Sequence, residues 1–140
     1  MYVLGFMLSP DETEVVLIRK NRPTWQAGRL NGVGGKVNSG EGYYEAMVRE
    51  FEEETGVTER EWTHYADMEG IDWNCRVFYS ISEKYLDAQT MTDEQIVVEN
   101  VDAACGLDSA QAISNLKWLI PLAINSAEDK DIVVTTVKYK

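Results

Sequence analysis

The residues best suited to chemistry form one short acidic run, Arg49-Glu50-Phe51-Glu52-Glu53-Glu54, just after a glycine-rich segment. Residues three and four apart on a helix lie on the same side, so Glu50, Glu53 and Glu54 face together and Glu52 faces elsewhere. Like charges this close repel by roughly 0.2–0.5 kcal/mol per pair. Because Mg²⁺ and Mn²⁺ prefer carboxylate oxygens, a divalent cation would turn that repulsion into affinity. The run predicts a metal site for phosphate chemistry, although most glutamate-rich helix faces are simply solvated surface.

A helix predicted over residues 43–55 positions these carboxylates. Its apolar residues follow the spacing of a helix with one packed face: Tyr44, Met47, Val48 and Phe51. The helix can therefore bury one side and hold the carboxylates along the rim of a cleft. Gly56 lies where a helix commonly ends in a left-handed residue.

Further strands surround this helix. The patterns predict strands over 2–8, 14–20, 30–37, 62–68, 73–82 and 96–101, and a last strand or an ordered tail over 132–139. A second helix is predicted over 109–124, kinked or shortened by Pro121, and residues 21–29 form a loop. Strands that outnumber helices and mix hairpins with helical crossovers predict an α/β domain with a mixed sheet.

Length and charge narrow the function further. The length of 140 residues is typical of one domain, so we expect a single domain over 1–140. A net charge of −11 argues against a nucleic-acid polymer as partner, but a cation can still carry the phosphates of a nucleotide into an acidic cleft. No apolar run approaches the ~20 residues of a membrane span. With no basic leader and no disulfide or zinc spacing between Cys75 and Cys105, we expect a cytoplasmic protein.

The segment from Gly35 to Val57 resembles the Nudix signature at every fixed position. The matching residues are Gly35, Glu41, the run from Arg49 to Glu54, Gly56 and Val57. The resemblance implies the Nudix fold, an α/β/α sandwich around a mixed β-sheet. It also implies a metal-dependent pyrophosphohydrolase that cleaves a nucleoside diphosphate linked to a further group X. Residues 115–121 are similar to a C-terminal helix of bacterial MutT-like members.

The same resemblance implies the metal ligands. Glu50, Glu53 and Glu54 would hold one or more Mg²⁺ (or Mn²⁺) ions, with a carbonyl oxygen from Gly34 or a neighbour. Glu53 is our choice for the residue that also handles the attacking water, with Glu50 or an acid outside the signature as alternatives. A later acid often completes such sites. Glu94 is the first candidate and Glu99 the second, unless Asp93-Glu94 is a solvated turn.

Two basic residues complete the expected catalytic centre. We expect Arg49 to orient the acidic cluster through an ion pair with Glu41. The alternative is a surface salt bridge worth under ~1 kcal/mol. Lys36 follows the glycine turn, where a cation can meet a phosphate, or it is a solvent-facing strand lysine.

Base recognition needs an aromatic surface and polar groups that contact the base edges. The segment from Gly28 to Gly32 resembles that of oxidised-purine nucleoside triphosphatases in the Nudix family. The resemblance implies that Trp25 and Asn31, with Arg29, contact the base. Leu30 departs from the tryptophan common in that group, and Trp25 could instead pack in the core.

The leading hypothesis is hydrolysis of a (d)NTP or oxidised (d)NTP to the monophosphate plus pyrophosphate, which would remove damaged nucleotides from the pool. The alternative is a pyrophosphatase for ADP-ribose, a dinucleotide or a nucleotide sugar. A third is a catalytically silent module that senses a nucleotide or binds a protein. The expected partner is a small nucleotide, with a homodimer also suggested by the resemblance.

Overall fold

A computed structural model describes residues 1–131 and 134–140 of the protein. Within them, eight strands form one sheet: β1 (Tyr2–Leu8), β2 (Glu14–Arg19), β3 (Leu30–Asn31), β4 (Val33–Lys36), β5 (Thr63–Glu69), β6 (Asn74–Ile81), β7 (Gln95–Asn100) and β8 (Thr135–Lys138). The helices in the same residues are α1 (Tyr43–Thr55), α2 (Val101–Cys105) and α3 (Leu116–Glu128). Short 3-10 helices cover Thr24–Gln26 and Glu83–Asp87.

The sheet is mixed, as predicted. Its main path runs β3-β2-β1-β6-β5-β8, with β4 paired to β1 and β7 paired to β2. The β1–β6 and β5–β8 pairs are parallel, and the other pairs are antiparallel. β1 lies in the middle of the sheet, between β2 and β6. Its apolar residues are buried on both faces, a pattern typical of strands covered on both sides.

Helices cover both faces of this sheet. On one face, Met47 and Phe51 of α1 pack against residues such as Val16 and Phe78. On the other face, α2 and α3 cover a second cluster of buried residues that includes Phe6, Tyr65, Leu119 and Ile120. Each large apolar side chain that leaves water contributes roughly 1.5–3 kcal/mol. Two cores around one sheet give the predicted α/β/α sandwich.

Helix α1 has the predicted bounds and ends as predicted at Gly56, whose φ is 77°. Its packed side is rotated from the prediction. Tyr44 is 41% exposed, and its hydroxyl donates to the carbonyl of Arg60, whereas Ala46 is fully buried. The tyrosine was predicted to face the core because its apolar ring fits the helical spacing, but a backbone acceptor at the surface satisfies its hydroxyl.

The second predicted helix begins too early. Residues 111–113 pair with β3 instead, because Leu30 N donates to Gln111 O at 2.9 Å and Ile113 N donates to Leu30 O at 3.0 Å. Helix α3 therefore starts at Leu116, and it continues through Pro121 to Glu128. Proline removes one backbone donor, and here it does not end the helix.

The single strand predicted over 30–37 is two strands, because β3 pairs with β2 whereas β4, after a break at Gly32, pairs with β1. The other differences lie at element ends. The strand predicted over 96–101 ends at Asn100, whose side chain accepts a hydrogen bond from Ala103 N at 3.1 Å and so caps α2, a helix not predicted. The last predicted strand includes residues 132 and 133, which lie outside the described residues. β8 itself covers the predicted region from Thr135.

Candidate active site

Helix α1 carries the acidic run at the border between its packed side and solvent. The Glu50 side chain is only 12% exposed, whereas that of Glu53 is 55% exposed. This difference follows from position, since Glu50 comes three and four residues after the fully buried Met47 and Ala46 and so lies on the packed side of the helix. The helix thus presents one nearly buried carboxylate and one accessible carboxylate to the same region.

Gly34 and Gly35 were predicted to form a turn, but both lie within strand β4 and pair with β1. Their lack of side chains allows the sheet and helix α1 to approach each other. At Gly34, an added Cβ would lie 1.9 Å from the carbonyl oxygen of Val3, so any side chain there would collide with the β1 backbone. At Gly35, an added Cβ would lie 2.4 Å from the carboxyl carbon of Glu50. The Glu50 carboxylate therefore lies directly over Gly35. Sequence reasoning used Gly35 as a signature residue but did not identify this role.

Arg49 gathers the acidic groups around one guanidinium. Nε and Nη2 donate to the two carboxylate oxygens of Glu41 at 2.8 and 2.9 Å, which is the predicted ion pair in bidentate form. Nη1 donates to Glu50 Oε1 at 2.9 Å and to Glu53 Oε2 at 3.2 Å. Nη2 also donates to the carbonyl of Lys36 at 3.0 Å. One side chain thus joins the helix, the loop before it and strand β4.

These contacts shift the pKa values in opposite directions. Hydrogen bonds from Arg49, supported by the Asn38 amide, lower the pKa of Glu41 to about 2. Burial raises the pKa of Glu50, and the nearby charges of Glu53 and Glu54 raise it further, while Arg49 opposes the rise. Burial raises a carboxyl pKa because it disfavours the charged form. Of Glu41 and Glu50, Glu50 is thus the one whose ionised form its surroundings disfavour.

The third predicted ligand, Glu54, has a different partner. Its Oε2 accepts a hydrogen bond from the Thr92 hydroxyl at 2.9 Å. Over residues 1–131 and 134–140, no three His, Cys, Asp or Glu side chains lie close enough together to enclose a metal ion. The three glutamates are neighbours on the helix, with two of them turned to Arg49 and one to Thr92.

The donor chemistry of this region nevertheless fits a hard divalent cation. Glu50, Glu53 and Glu54 supply carboxylate oxygens, the donors that Mg²⁺ and Mn²⁺ prefer. Arg49 already demonstrates that Glu50 and Glu53 can share one positively charged partner. Because Glu53 is more than half exposed, its side chain can change rotamer without disturbing the core.

The two candidates for an additional acid lie on opposite faces of the sheet. In β7, Ile96 packs with the core under α1, and Val97 packs with the core under α3. Side chains alternate along a strand, so Glu99, two residues after Val97, is on the α3 face. Glu94 lies just before β7, and its amide donates to the Thr92 hydroxyl that contacts Glu54 of α1. The Glu94 side chain is 3% exposed and is paired with Lys20 Nζ at 3.1 Å. Glu94 is thus the candidate on the same face as the acidic helix.

The residues predicted to contact a base lie around the 3-10 helix before β3. Trp25 is 60% exposed, which rules out core packing for its ring. Asn31 Nδ2 donates to Gln26 Oε1 at 3.1 Å, and Asn31 Oδ1 accepts from Gly32 N at 2.8 Å. Arg29 is half-buried, and its backbone closes this loop, because Lys20 N donates to Arg29 O at 2.9 Å. The loop thus presents an accessible aromatic ring beside a fixed amide.

Two polar residues near the acidic helix were missed by sequence reasoning. Lys20 neutralises Glu94, and Thr92 contacts Glu54. The spacing along the chain gives no signal for either contact, because each joins segments far apart in the sequence. The predicted phosphate ligand Lys36 has an exposed side chain at the end of β4, directly after Gly34 and Gly35.

Comparison with known proteins agrees with this architecture. A model of the NUDIX domain matches residues 2–120, and the chain belongs to this family of pyrophosphohydrolases, whose members generally use divalent cations. Over the described residues, no helix is both long and apolar enough to cross a membrane.

Several solved structures share the fold. One comes from work on MutT of Aliivibrio salmonicida and Vibrio cholerae, with 22% identity, a TM-score of 0.70 and coverage of 89% of this chain and 96% of that one. MutT of Bacillus halodurans has 19% identity, a TM-score of 0.68 and coverage of 99% and 89%. The NUDIX domain of Shewanella oneidensis NrtR, complexed with ADP ribose, has 13% identity, a TM-score of 0.76 and coverage of 90% and 86%.

Proposed function

We propose that this protein is a Mg²⁺-dependent hydrolase of nucleoside triphosphates that releases pyrophosphate and a nucleoside monophosphate. The observation that carries the proposal is the Glu50 carboxylate over Gly35, with Glu53 sharing its Arg49 partner. Cleaving a phosphoanhydride requires positive charge near the phosphate oxygens and an activated water. A cluster of acids on a rigid helix beside the two glycines of β4 suits both requirements.

The cation would be held by Glu50, Glu53 and Glu54, with a Gly34 carbonyl oxygen and Glu94 as further candidate ligands. When bound, Mg²⁺ or Mn²⁺ neutralises charge on phosphate oxygens and makes water easier to deprotonate. The nearly buried Glu50 would be the fixed ligand, since Gly35 and Arg49 restrict its position.

Within the chain itself, we assign proton transfer to Glu53. Its carboxylate is accessible to solvent and lies 3.2 Å from a guanidinium nitrogen that holds it on the acidic side of the helix. A carboxylate so placed can accept a proton from water. Arg49 and Glu41 act as positioning residues, because their bidentate pair fixes the guanidinium that contacts Glu50 and Glu53.

Nucleotide binding is assigned to the end of β4 and to the loop before β3. Lys36 would meet a phosphate beside Gly34 and Gly35, while Trp25 would stack on the base and Asn31 and Arg29 would contact its polar edges. The exposure of the Trp25 ring supports stacking, because a base that covers this accessible aromatic surface gains apolar contact. Oxidised (d)NTPs belong to the proposed substrate class.

A second candidate function is hydrolysis of ADP-ribose, a dinucleotide or a nucleotide sugar. The similarity to the NrtR domain, solved with ADP ribose, favours testing it. The products separate the two proposals. A triphosphate gives inorganic pyrophosphate, whereas ADP-ribose gives AMP and ribose phosphate.

Three broader assignments accompany the proposal. We treat 1–140 as a single domain, which is supported by the packing of α3 on the sheet and the pairing of β8 with β5 beyond the matched family region. The cytoplasmic location and a homodimer stay predictions. Sedimentation and the site of accumulation in cells would test them.

A turnover screen tests the main proposal. Canonical and oxidised (d)NTPs, ADP-ribose, NADH and nucleotide sugars are incubated with Mg²⁺ or Mn²⁺, and both pyrophosphate and nucleotide products are measured. We expect Glu53→Gln to lose about 10²- to 10⁴-fold in turnover while it stays folded. Glu52→Gln is the matched control, since Glu52 instead accepts a hydrogen bond from Thr58. Absence of metal-dependent hydrolysis across the panel, or full activity of Glu53→Gln, would contradict the proposal.

A further inference from the structure

The segment of residues 89–94 crosses the C-terminal end of helix α1, and we name it the crossing segment. At one end, Gln89 N donates to the carbonyl of Thr55 at 3.1 Å, and the Met91 side chain lies against Gly56. At the other end, Glu94 is buried and joins the segment to the loop before β3. The crossing segment therefore touches the last turn of the acidic helix and the proposed nucleotide loop.

Glu94 fixes that second end firmly. Its Oε1 accepts from Lys20 Nζ at 3.1 Å, and its Oε2 accepts from Asn21 N at 2.6 Å. The Asn21 side chain also donates to the carbonyl of Asp93 at 2.6 Å. A buried carboxylate with hydrogen bonds to both oxygens is strongly held. The backbone that leads back to Thr92 is thereby fixed in place.

Between these two ends, the Thr92 hydroxyl makes two hydrogen bonds whose directions are determined. The amide of Glu94 can only donate, so Thr92 Oγ1 accepts from it at 3.1 Å. The ionised carboxylate of Glu54 can only accept, so Thr92 donates its single hydroxyl proton to Oε2 at 2.9 Å. The hydroxyl therefore links the anchored backbone to one chosen oxygen of Glu54.

We propose that Thr92 is a positioning residue for Glu54, the group that orients the third metal-binding carboxylate. The inference rests on the proposed function for the assignment of Glu54 as a ligand. A glutamate side chain has several rotatable bonds, and a half-exposed one samples many rotamers unless a partner restricts it. A hydrogen bond from an anchored hydroxyl restricts Glu54 before any cation binds. Partners of this kind change metal affinity by about 10- to 100-fold when they are removed.

If Thr92 had only a structural role, its removal would have a different effect on stability and on cation binding. The hydroxyl could serve only to shape the crossing segment through its bond with the Glu94 amide. In that case its removal would loosen the segment and lower thermal stability, with no selective effect on the cation. Thr90 provides the comparison, because its hydroxyl accepts from Ile96 N at 3.0 Å in the same part of the chain.

The test uses the whole chain and Mn²⁺ alone as the probe. Mn²⁺ affinity is measured by electron paramagnetic resonance without nucleotide, for wild type, Thr92→Val, Thr92→Ser and the control Thr90→Val. Thermal unfolding is recorded for each variant. We expect Thr92→Val to weaken Mn²⁺ binding about tenfold or more, Thr92→Ser to restore it, and Thr90→Val to bind like wild type. In a Glu54→Gln background, Thr92→Val should have little further effect.

The outcomes separate this inference from the proposed function. Wild-type Mn²⁺ affinity in a folded Thr92→Val protein would overturn the inference, as would equal weakening in Thr90→Val. Thr92→Ala tests the same bond if the valine variant does not fold. Nucleotide turnover, measured on the same wild-type sample, reports on the proposed function alone. If Thr92→Val selectively lost Mn²⁺ binding while the wild-type protein hydrolysed no nucleotide, the positioning role of Thr92 would be supported and the proposed hydrolase function refuted.

Discussion

Replacing Gly35 by alanine tests whether the Glu50 carboxylate must lie directly over this position of strand β4. The added Cβ would be 2.4 Å from the carboxyl carbon of Glu50 and 2.4 Å from its Oε1, whereas an ordinary contact begins near 3.4 Å. The carboxylate must therefore retreat by about 1 Å. A misplacement of about 1 Å at a reacting centre costs about 10²-fold in rate, which corresponds to roughly 2.7 kcal/mol.

The fold should survive this change. The atoms that the new methyl group meets belong to the end of a flexible side chain, and the Gly35 backbone does not require the left-handed conformation. The neighbouring Gly34→Ala variant differs, because its Cβ would lie 1.9 Å from the Val3 carbonyl oxygen, which the sheet holds in place. We expect Gly35→Ala to melt near the wild-type temperature and Gly34→Ala to be strongly destabilised.

The assay is steady-state pyrophosphate release with Mg²⁺, together with thermal unfolding of each variant. Gly106→Ala is a suitable control, because the added Cβ would make only ordinary contacts and the backbone is right-handed helical. We expect Gly106→Ala to match wild type in both measurements. Wild-type kcat/KM in a stably folded Gly35→Ala protein would show that catalysis does not need Glu50 in this position.

Three further predictions concern packing and charge. Arg49→Lys should lower kcat/KM about 10²-fold and also lower the melting temperature, because a lysine ammonium cannot reproduce the planar fork that contacts several acceptors; a variant with full stability and activity would contradict this. Phe51→Ala should lower the free energy of unfolding by about 3–5 kcal/mol in denaturant titrations, since the ring is fully buried and packs edge-to-face at 5.0 Å on a tryptophan. Burial raises the pKa of the Cys75 thiol to about 12, so iodoacetamide at pH 8 should alkylate the partly exposed Cys105 first. Between about pH 9 and 12 the thiol ionises in the unfolded chain but stays neutral in the folded protein, so the free energy of unfolding should fall as the pH rises through this range.

The elements with the strongest hydrophobic patterns were predictable from sequence. The apolar run of β1 and the periodic helix that ends at Gly56 have the bounds expected for them. Elements whose backbone depends on partners far away in the sequence could not be predicted in this way. The region before α3 pairs with Leu30, and Asn100 ends a strand by capping a helix, neither of which local periodicity can reveal.

In the candidate site, too, some features were predictable from sequence and others depend on tertiary contacts. The helix that carries Glu50, Glu53 and Glu54 and the pairing of Arg49 with Glu41 follow from spacing and family resemblance. The contact of Thr92 with Glu54 could not be predicted from spacing or resemblance, because the geometry of a loop brings the two residues together. Sequence identified the groups that can perform chemistry, and the tertiary structure supplied the groups that orient them.

The placement of Arg49 predicts that stability and activity are coupled in this site. Adjacent residues on a helix do not face each other, so contact with Glu50 depends on the length of the arginine side chain. One edge of the guanidinium is held by both oxygens of Glu41, and this leaves Nη1 to reach Glu50 and Glu53. A change at Glu41 should therefore disturb Glu50 and Glu53 without touching either one. Loss of Glu53 alone should affect catalysis and leave the network between the helix and β4 intact.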